Sequence, residues 1–226
     1  MTEIEVRDAH GSELVDGCAL LGRALAFSDR DALAPWLVQT SAAAGGLALA
    51  AFVRGRLAGF SFAMPGSGQE LFSCGLAVDP AFRGRGIGRR LKLYQRERAL
   101  ALGIWAIRWT ADPLAAQALA LYLHGLGARL VGYAPGLYAD VRPATVTPDD
   151  VLIEWPLQHP APAAGRPSAR VEIPLGHDGL EASALARWRH DVRGAMTAAL
   201  ENRAVGIDVA FDRSAGRAWV LFAEAS

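Results

Sequence analysis

The chain is poor in anything that would cross-link or clamp it. Its 226 residues include two cysteines, Cys18 and Cys74. They are far apart, with no CxxC pair or histidine cluster beside them, so neither a disulfide framework nor a structural zinc site is indicated and no bound metal is expected. Net charge is also missing, because 23 Lys+Arg balance 23 Asp+Glu. A broadly nucleic-acid-binding surface and an acidic tail are thereby excluded, and any basic patch must be local. Lys92 is the only lysine; codon bias is explanation enough for the arginine excess. No hydrophobic run reaches membrane length: the longest, residues 42–53, is broken by Gly45-Gly46 and stops at Arg54. The first residues are acidic where a secretory leader is basic and apolar. The expectation is a cytoplasmic protein with no membrane partner.

Apolar mass is abundant. With 52% hydrophobic residues and a mean hydropathy of +0.18, the chain cannot remain disordered. Its 24.0 kDa suits one ordinary domain with an extension, or two small ones. Up to residue 142 strand and helix signals alternate. Residues 4–7 alternate apolar and charged, and Leu14, Cys18, Leu21 and Leu25 then recur at helical spacing. Ser28 with Asp31 reads as the cap of a second helix ending near Gly45-Gly46. Two apolar runs, 47–53 and 57–64, flank Arg54-Gly55-Arg56 as a hairpin. Residues 71–78 form a further strand in which Gly75 marks a bulge. The helix that follows sends Ile87, Leu91, Tyr94 and Leu102 toward a core. Strand 104–109, a helix begun at Asp112-Pro113 with Leu114, Ala118 and Leu121 on one face, and strand 129–133 complete the series.

Beyond Pro143 the texture changes. Residues 158–168 are rich in Pro and Ala and read as a linker between strands 151–157 and 170–173. A long helix with Leu185, Trp188, Val192, Ala195 and Ala199 at three-to-four spacing precedes strands 205–211 and 218–222. The strand, helix, strand order loosely echoes the first half. So apolar a tail completes the sheet, covers an acceptor cleft or forms a homodimer contact.

The stretch richest in chemistry is Leu76-Ala77-Val78-Asp79-Pro80-Ala81-Phe82-Arg83-Gly84-Arg85-Gly86-Ile87-Gly88-Arg89-Arg90-Leu91. It sets three glycines between a strand and a helix start. Glycine permits positive φ and close backbone approach, so the N–H groups of residues 83–88 can converge on phosphate oxygens at the positive end of the helix dipole. Arg83, Arg85, Arg89 and Arg90 surround this cradle with charge, which points to a diphosphate or larger polyphosphate. A Gly-Arg segment could also contact RNA, but the Val-Asp-Pro lead-in and the strand-to-helix placement favour anion cradling. The dinucleotide fingerprint GxGxxG fails because Arg89 stands at its third glycine, and no GxxxxGK[ST] loop occurs.

Arg83-x-x-Gly86-x-Gly88 after Ala77-Val78-Asp79-Pro80 resembles the R/Q-x-x-G-x-G/A loop of the GNAT superfamily of acyl-CoA-dependent N-acyltransferases. The resemblance covers roughly the first 140 residues. It implies a mixed α/β fold with a mixed sheet, a catalytic domain over 1–142 and an α/β extension over 143–226. It further implies that acetyl-CoA or another acyl-CoA is the cosubstrate. Its diphosphate would be held by Arg83, Gly84, Arg85, Gly86, Ile87, Gly88 and Arg89, and its pantetheine arm would pair with Leu76, Ala77 and Val78. Family members transfer the acyl group directly to an amine, here expected to be a small molecule such as an amino acid.

Many members end the next helix with Tyr-x-x-x-Gly-Phe, whose Tyr protonates the thiolate. Aligning on Leu126-Gly127 puts Leu123, not Tyr122, at that position. Tyr122 leads the acid candidates, with His124 and Tyr138 behind it. Glu70, Asp112 and His124 are the candidate bases, alongside a water chain. Trp109-Thr110-Ala111-Asp112-Pro113 resembles a subgroup in which a succinyl donor is conceivable, and Arg108 or Arg193 would then hold its carboxylate. The plainer readings make Asp112 a helix cap, Cys74 packed core, Trp105 and Trp109 core, and the Arg and His around Trp188 a charged outer face. The alternative from another class is a non-catalytic acyl-CoA-binding or sensing module.

Overall fold

The computed structural model describes residues 3–25, 32–139, 149–158, 166–177 and 179–225. They fall into two compact units, Met1–Arg108 and Trp109–Ser226. This division runs through a strand and differs from the line near residue 142 that the resemblance implies.

In the first unit, alternating Ile4 and Val6 make β1 (Ile4–Asp8), which leads into α1 (Ser12–Ala24) and then α2 (Pro35–Ala43). Pro35 occupies the first position of α2, where its missing N–H costs nothing; Ser28 and Asp31 lie outside the described residues. β2 (Leu47–Val53) and β3 (Arg56–Pro65) are joined by Arg54 and Gly55, both at positive φ (52° and 74°). That conformation matches the right-handed twist of a tight hairpin. β4 (Glu70–Val78), α3 (Ile87–Ala101) and β5 (Ala106–Ala111) follow, and the sheet order in this unit is β1-β2-β3-β4-β5. Neighbours are antiparallel except β4 and β5, which pair in parallel, so the sheet is mixed.

Side-chain alternation along β3 decides what covers each face. Phe60 lies against Gly17 of α1, and Phe60 and Phe62 join Leu14, Cys18 and Leu21 in one cluster. The alternate positions Gly59 and Ser61 face α3. A Cβ on Gly59 would stand 2.9 Å from Ile87 and 3.0 Å from Leu91, so the missing side chain is what lets the helix sit this close. With helices on both sides, β2 is buried at all seven positions and reads as a continuous apolar run.

The second unit holds the end of β5, α4 (Ala116–Ala120), a π-helical turn (Leu121–Gly125), β6 (Arg129–Ala134), β7 (Asp150–Pro156), β8 (Ala169–Pro174), α5 (Ala182–Glu201), β9 (Ala204–Asp212) and β10 (Arg217–Glu224). The strand order is β5-β7-β6-β9-β10-β8. The tail therefore completes the sheet, joining antiparallel to β6 through β9 at Leu130 and Gly206. Each half of this order is one strand, one helical segment and two strands, with the last strand inserted between the other two. β5-β7-β6 on one side is mirrored by β8-β10-β9 on the other, which gives physical content to the echo in the sequence.

Several expected core positions shift. Leu25 and Leu102 are exposed at helix ends, and Trp105 is 38% exposed while Trp109 is buried. In the helix after Asp112-Pro113 the buried positions are Ala116, Leu119 and Leu123 rather than Ala118 and Leu121. In α5 they are Val192, Met196 and Ala199; Ala195 faces water. Among the described residues no helix is long and apolar enough to cross a membrane.

α5 is anchored by a carboxylate. Asp149, 1% exposed, accepts hydrogen bonds from Tyr133 Oη (2.7 Å), Gly136 N–H (3.2 Å) and Arg193 Nε and Nη2 (both 2.8 Å). Burial, then this carboxylate, pushes the Tyr133 phenol well up. Replacing Asp149 with Ala removes the shared acceptor of Tyr133, Gly136 N–H and Arg193 and should cost about 2–3 kcal/mol. In urea denaturation the midpoint should fall while the slope stays unchanged.

Candidate functional site

The strand-to-helix turn after β4 is built on Asp79 and Phe82. Asp79 donates its N–H to Ala58 O (3.0 Å), and its Oδ1 accepts from Ala81 N–H (2.9 Å), starting a single 3-10 turn, Pro80–Phe82. Phe82 is buried, with the guanidinium groups of Arg56 and Arg85 at 5.4 and 5.5 Å from its ring centroid. The chain then passes through Gly84 and Gly86, both left-handed (φ 75° and 76°) with open space where a Cβ would project. Gly86 is the N-cap of α3, and the first bond into the helix runs from Arg90 N–H to Gly86 O (3.0 Å). The N–H groups of Ile87, Gly88 and Arg89 consequently have no intrahelical acceptor. No acidic residue stands in the first turn of α3 to neutralise them. Arg83 Nε reaches back to Val78 O (3.5 Å) and Arg85 Nη2 to Ala81 O (3.4 Å), so cationic groups flank the open amides. The arrangement fits a diphosphate.

β4 leads into this turn with an open side. Its pairing with β5 spans Glu70 to Phe72 only, opposite Ala106 to Arg108. From Ser73 onward the described pairing is with β3 alone, interrupted where Ala63 faces Ser73 but Phe62 faces Gly75. The bulged residue is thus Cys74, beside the Gly75 that the sequence singles out. Leu76, Ala77 and Val78 are held by Ser61, Phe60 and Gly59 on one edge. Cys74 is exposed, not packed core, because the bulge turns it outward. Desolvation by the surrounding strand raises its thiol pKa, so it is no activated nucleophile.

A buried polar cluster lies behind the bulge. Lys92 Nζ donates to Ser73 Oγ (2.9 Å) and Gln95 Oε1 (3.1 Å), and Gln95 Nε2 donates to Ser61 Oγ (3.4 Å). All four residues are buried. Burial pulls the Lys92 ammonium down to about 7, with Cys74 opposing weakly. Tyr94 and Leu102 were expected on this face, yet Lys92 and Gln95 take it. The available signal was the spacing of Lys92, Gln95 and Ala99 on one stripe of the helix.

In the second unit, Tyr122 lies on the π-helical turn with its ring edge-on to Trp109 (centroids 5.1 Å apart), and Trp109 in turn meets Trp155 edge-on (6.5 Å). Burial raises the Tyr122 phenol. A π turn takes one residue more than an α turn. Tyr122 and Gly127 are five apart, one residue more than the Tyr-x-x-x-Gly spacing of the family. His124 is largely exposed, its Nδ1 3.2 Å from Asp208 Oδ1. Asp112 is fully engaged: Oδ1 accepts from Leu114 N–H (2.9 Å) and Arg189 Nη1 (3.3 Å), while Oδ2 meets Arg189 Nη2 (3.1 Å) and His177 Nε2 (3.5 Å). Tyr138 Oη is 3.4 Å from Thr110 Oγ1. Glu70 pairs with Arg108 (3.2 Å) and Arg193 with Asp149. Among the described residues no three His, Cys, Asp or Glu group as a metal site would require.

Residues 20–128 match the model of the acetyltransferase (GNAT) family. That segment is of the GNAT superfamily. The GNAT match includes the glycine turn and Tyr122 and stops before the tail. The chain is 34% identical over 148 residues to a mycothiol acetyltransferase of Rhodococcus jostii, covering 63% of this chain and 48% of that protein. It thus spans about half the length, or less, of the curated relatives it matches. The fold is shared with the ribosomal-protein-S18-alanine N-acetyltransferase of Escherichia coli (TM-score 0.57, 19% identity, 73% of this chain and 97% of that one). It is shared equally with a putative acetyltransferase of Salmonella typhimurium solved with acetyl-CoA (TM-score 0.58, 18% identity, 72% and 99%).

Lys92 makes stability pH-dependent. Between its folded value of about 7 and its ordinary 10.5 the unfolded chain binds more protons, so its contribution to stability grows as pH rises through that window. Thermal melts of wild type minus Lys92→Met should show this rise, and a flat difference would contradict it.

Proposed function

We propose that the chain is an acetyl-CoA-dependent N-acetyltransferase whose acceptor is a small-molecule amine. The observation that carries this reading is the run of open amides at the start of α3, reached from the unpaired edge of β4. Residues 84–89 bind the coenzyme diphosphate, with Arg83 beside them. Leu76, Ala77 and Val78 align the pantetheine arm through backbone hydrogen bonds. The bound thioester supplies the electrophilic carbonyl, which the acceptor attacks directly. The catalytic domain is residues 1–142, and residues 143–226 form its extension.

Tyr122 is the proton donor to the leaving thiolate. Its raised pKa keeps the phenol protonated at neutral pH, as an acid requires. His124, oriented by Asp208, is the candidate base, acting directly or through water. Asp112 holds the Pro113 turn through Leu114 N–H, Arg189 and His177, and so serves as a positioning residue rather than a base. The ion pairs that occupy Arg108 and Arg193 favour acetyl over succinyl as the donor. An acceptor of low molecular weight agrees with the mycothiol acetyltransferase similarity and the absence of net charge.

Free-thiol release from acetyl-CoA and succinyl-CoA against a pool of amines tests the reading. Acceptor-dependent release with acetyl-CoA is expected; calorimetric binding of CoA without release would mark a sensing module instead. Tyr122→Phe should lower kcat about a hundredfold with CoA affinity unchanged. Gly86→Val forces a β-branched residue into left-handed backbone and should abolish CoA binding in calorimetry, while circular dichroism reports a retained fold.

A further inference from the structure

Three features of the first unit coincide at Ser73. Pairing between β4 and β5 ends one residue before it, the β4 bulge begins one residue after it, and its hydroxyl receives the Lys92 amine from behind. The cluster is drawn from three elements, with Ser61 on β3, Ser73 on β4, and Lys92 and Gln95 on α3. Their exposures are 0%, 6%, 2% and 0%. A methionine would fill the same volume without the desolvation that a buried amine incurs, so a packing role alone gives no reason for lysine here.

We propose that Lys92 is a positioning residue for the β4 bulge: through Ser73 it fixes the backbone of residues 73–75, where the open edge of the strand aligns the thioester. This rests on the coenzyme reading above. The ladder cannot fix this stretch, because Cys74 has no partner on β3 and the β5 side is open. A hydrogen bond from beneath supplies the constraint that strand pairing lacks. Cys74 is the titratable group coupled to Lys92 from β4. Asp8 of β1 pairs with Arg98 and Glu70 of β4 with Arg108. Through the Ser73 hydrogen bond, an amine whose charge burial disfavours carries its titration to the bulge.

The test compares wild type, Lys92→Met and Ser73→Ala. Each is assayed for kcat and KM for acetyl-CoA across pH 6–9, for CoA affinity by calorimetry, and for amide hydrogen exchange at residues 73–75. Displacing a reacting group by about 1 Å costs up to about a hundredfold. Both variants should lose about tenfold to a hundredfold in kcat with KM for acetyl-CoA and CoA affinity unchanged, and should exchange the bulge amides at least about tenfold faster. Lys92→Met should also lose the kcat limb near pH 7. Wild-type kcat, pH profile and exchange in both variants would overturn the inference. Should Lys92→Met fail to fold, Ser73→Ala decides on the same readouts. A wild-type protein that turns over no acceptor would sink the transferase reading instead, and exchange at the bulge would still decide whether Lys92 holds it.

Discussion

Everything in the first unit leans on the two-sided burial of β3. Phe60 and Phe62 fill the α1 side, while Gly59 and Ser61 leave the other side thin enough for α3 to press against the sheet. The position of α3 fixes where its first turn points, and the amides of that turn are the only part of the helix backbone that a ligand can reach. A side chain at position 59 would lift the helix and carry the glycine turn away from the end of β4. The placing of the open amides of residues 87–89 thus depends on a residue outside the turn. Packing on one strand face and the position of a loop are here one constraint.

Most strands were legible because their signals are local. Arg54-Gly55 specifies its turn by backbone conformation, and the run 47–53 is apolar throughout because helices lie on both faces. The glycine turn was legible for the same reason, since Gly84 and Gly86 take backbone conformations that other residues avoid. What could not be read depends on tertiary context. Lys92 looks like a solvent residue until β4 closes over it. Asp112 looks like a cap or a base, and only Arg189 and His177, far along the chain, show both its oxygens taken. Nothing in the local residue types announces the π turn that carries Tyr122.

The tail illustrates a different relation between sequence and fold. Its residues carry no motif of the family, yet its strands and helix repeat the connection pattern of the segment they adjoin. Asp149, just before β7, ties the repeat together by joining Tyr133 of β6 to Arg193 of α5.

That repeat changes which backbone the sheet offers to its surroundings. β6 presents Leu130 at its centre, and β9 covers it, so the edge of the described sheet in the second unit falls on β8. β8 carries Arg170, Glu172 and a terminal Pro174, with Arg217 paired to Glu172 across to β10. Charge and proline on an edge discourage further strands from adding. The extension therefore exchanges an adhesive apolar border for a repellent one. Both strands that pair with β6, β7 and β9, lie beyond residue 142, so a chain ending there would leave β6 with no strand partner.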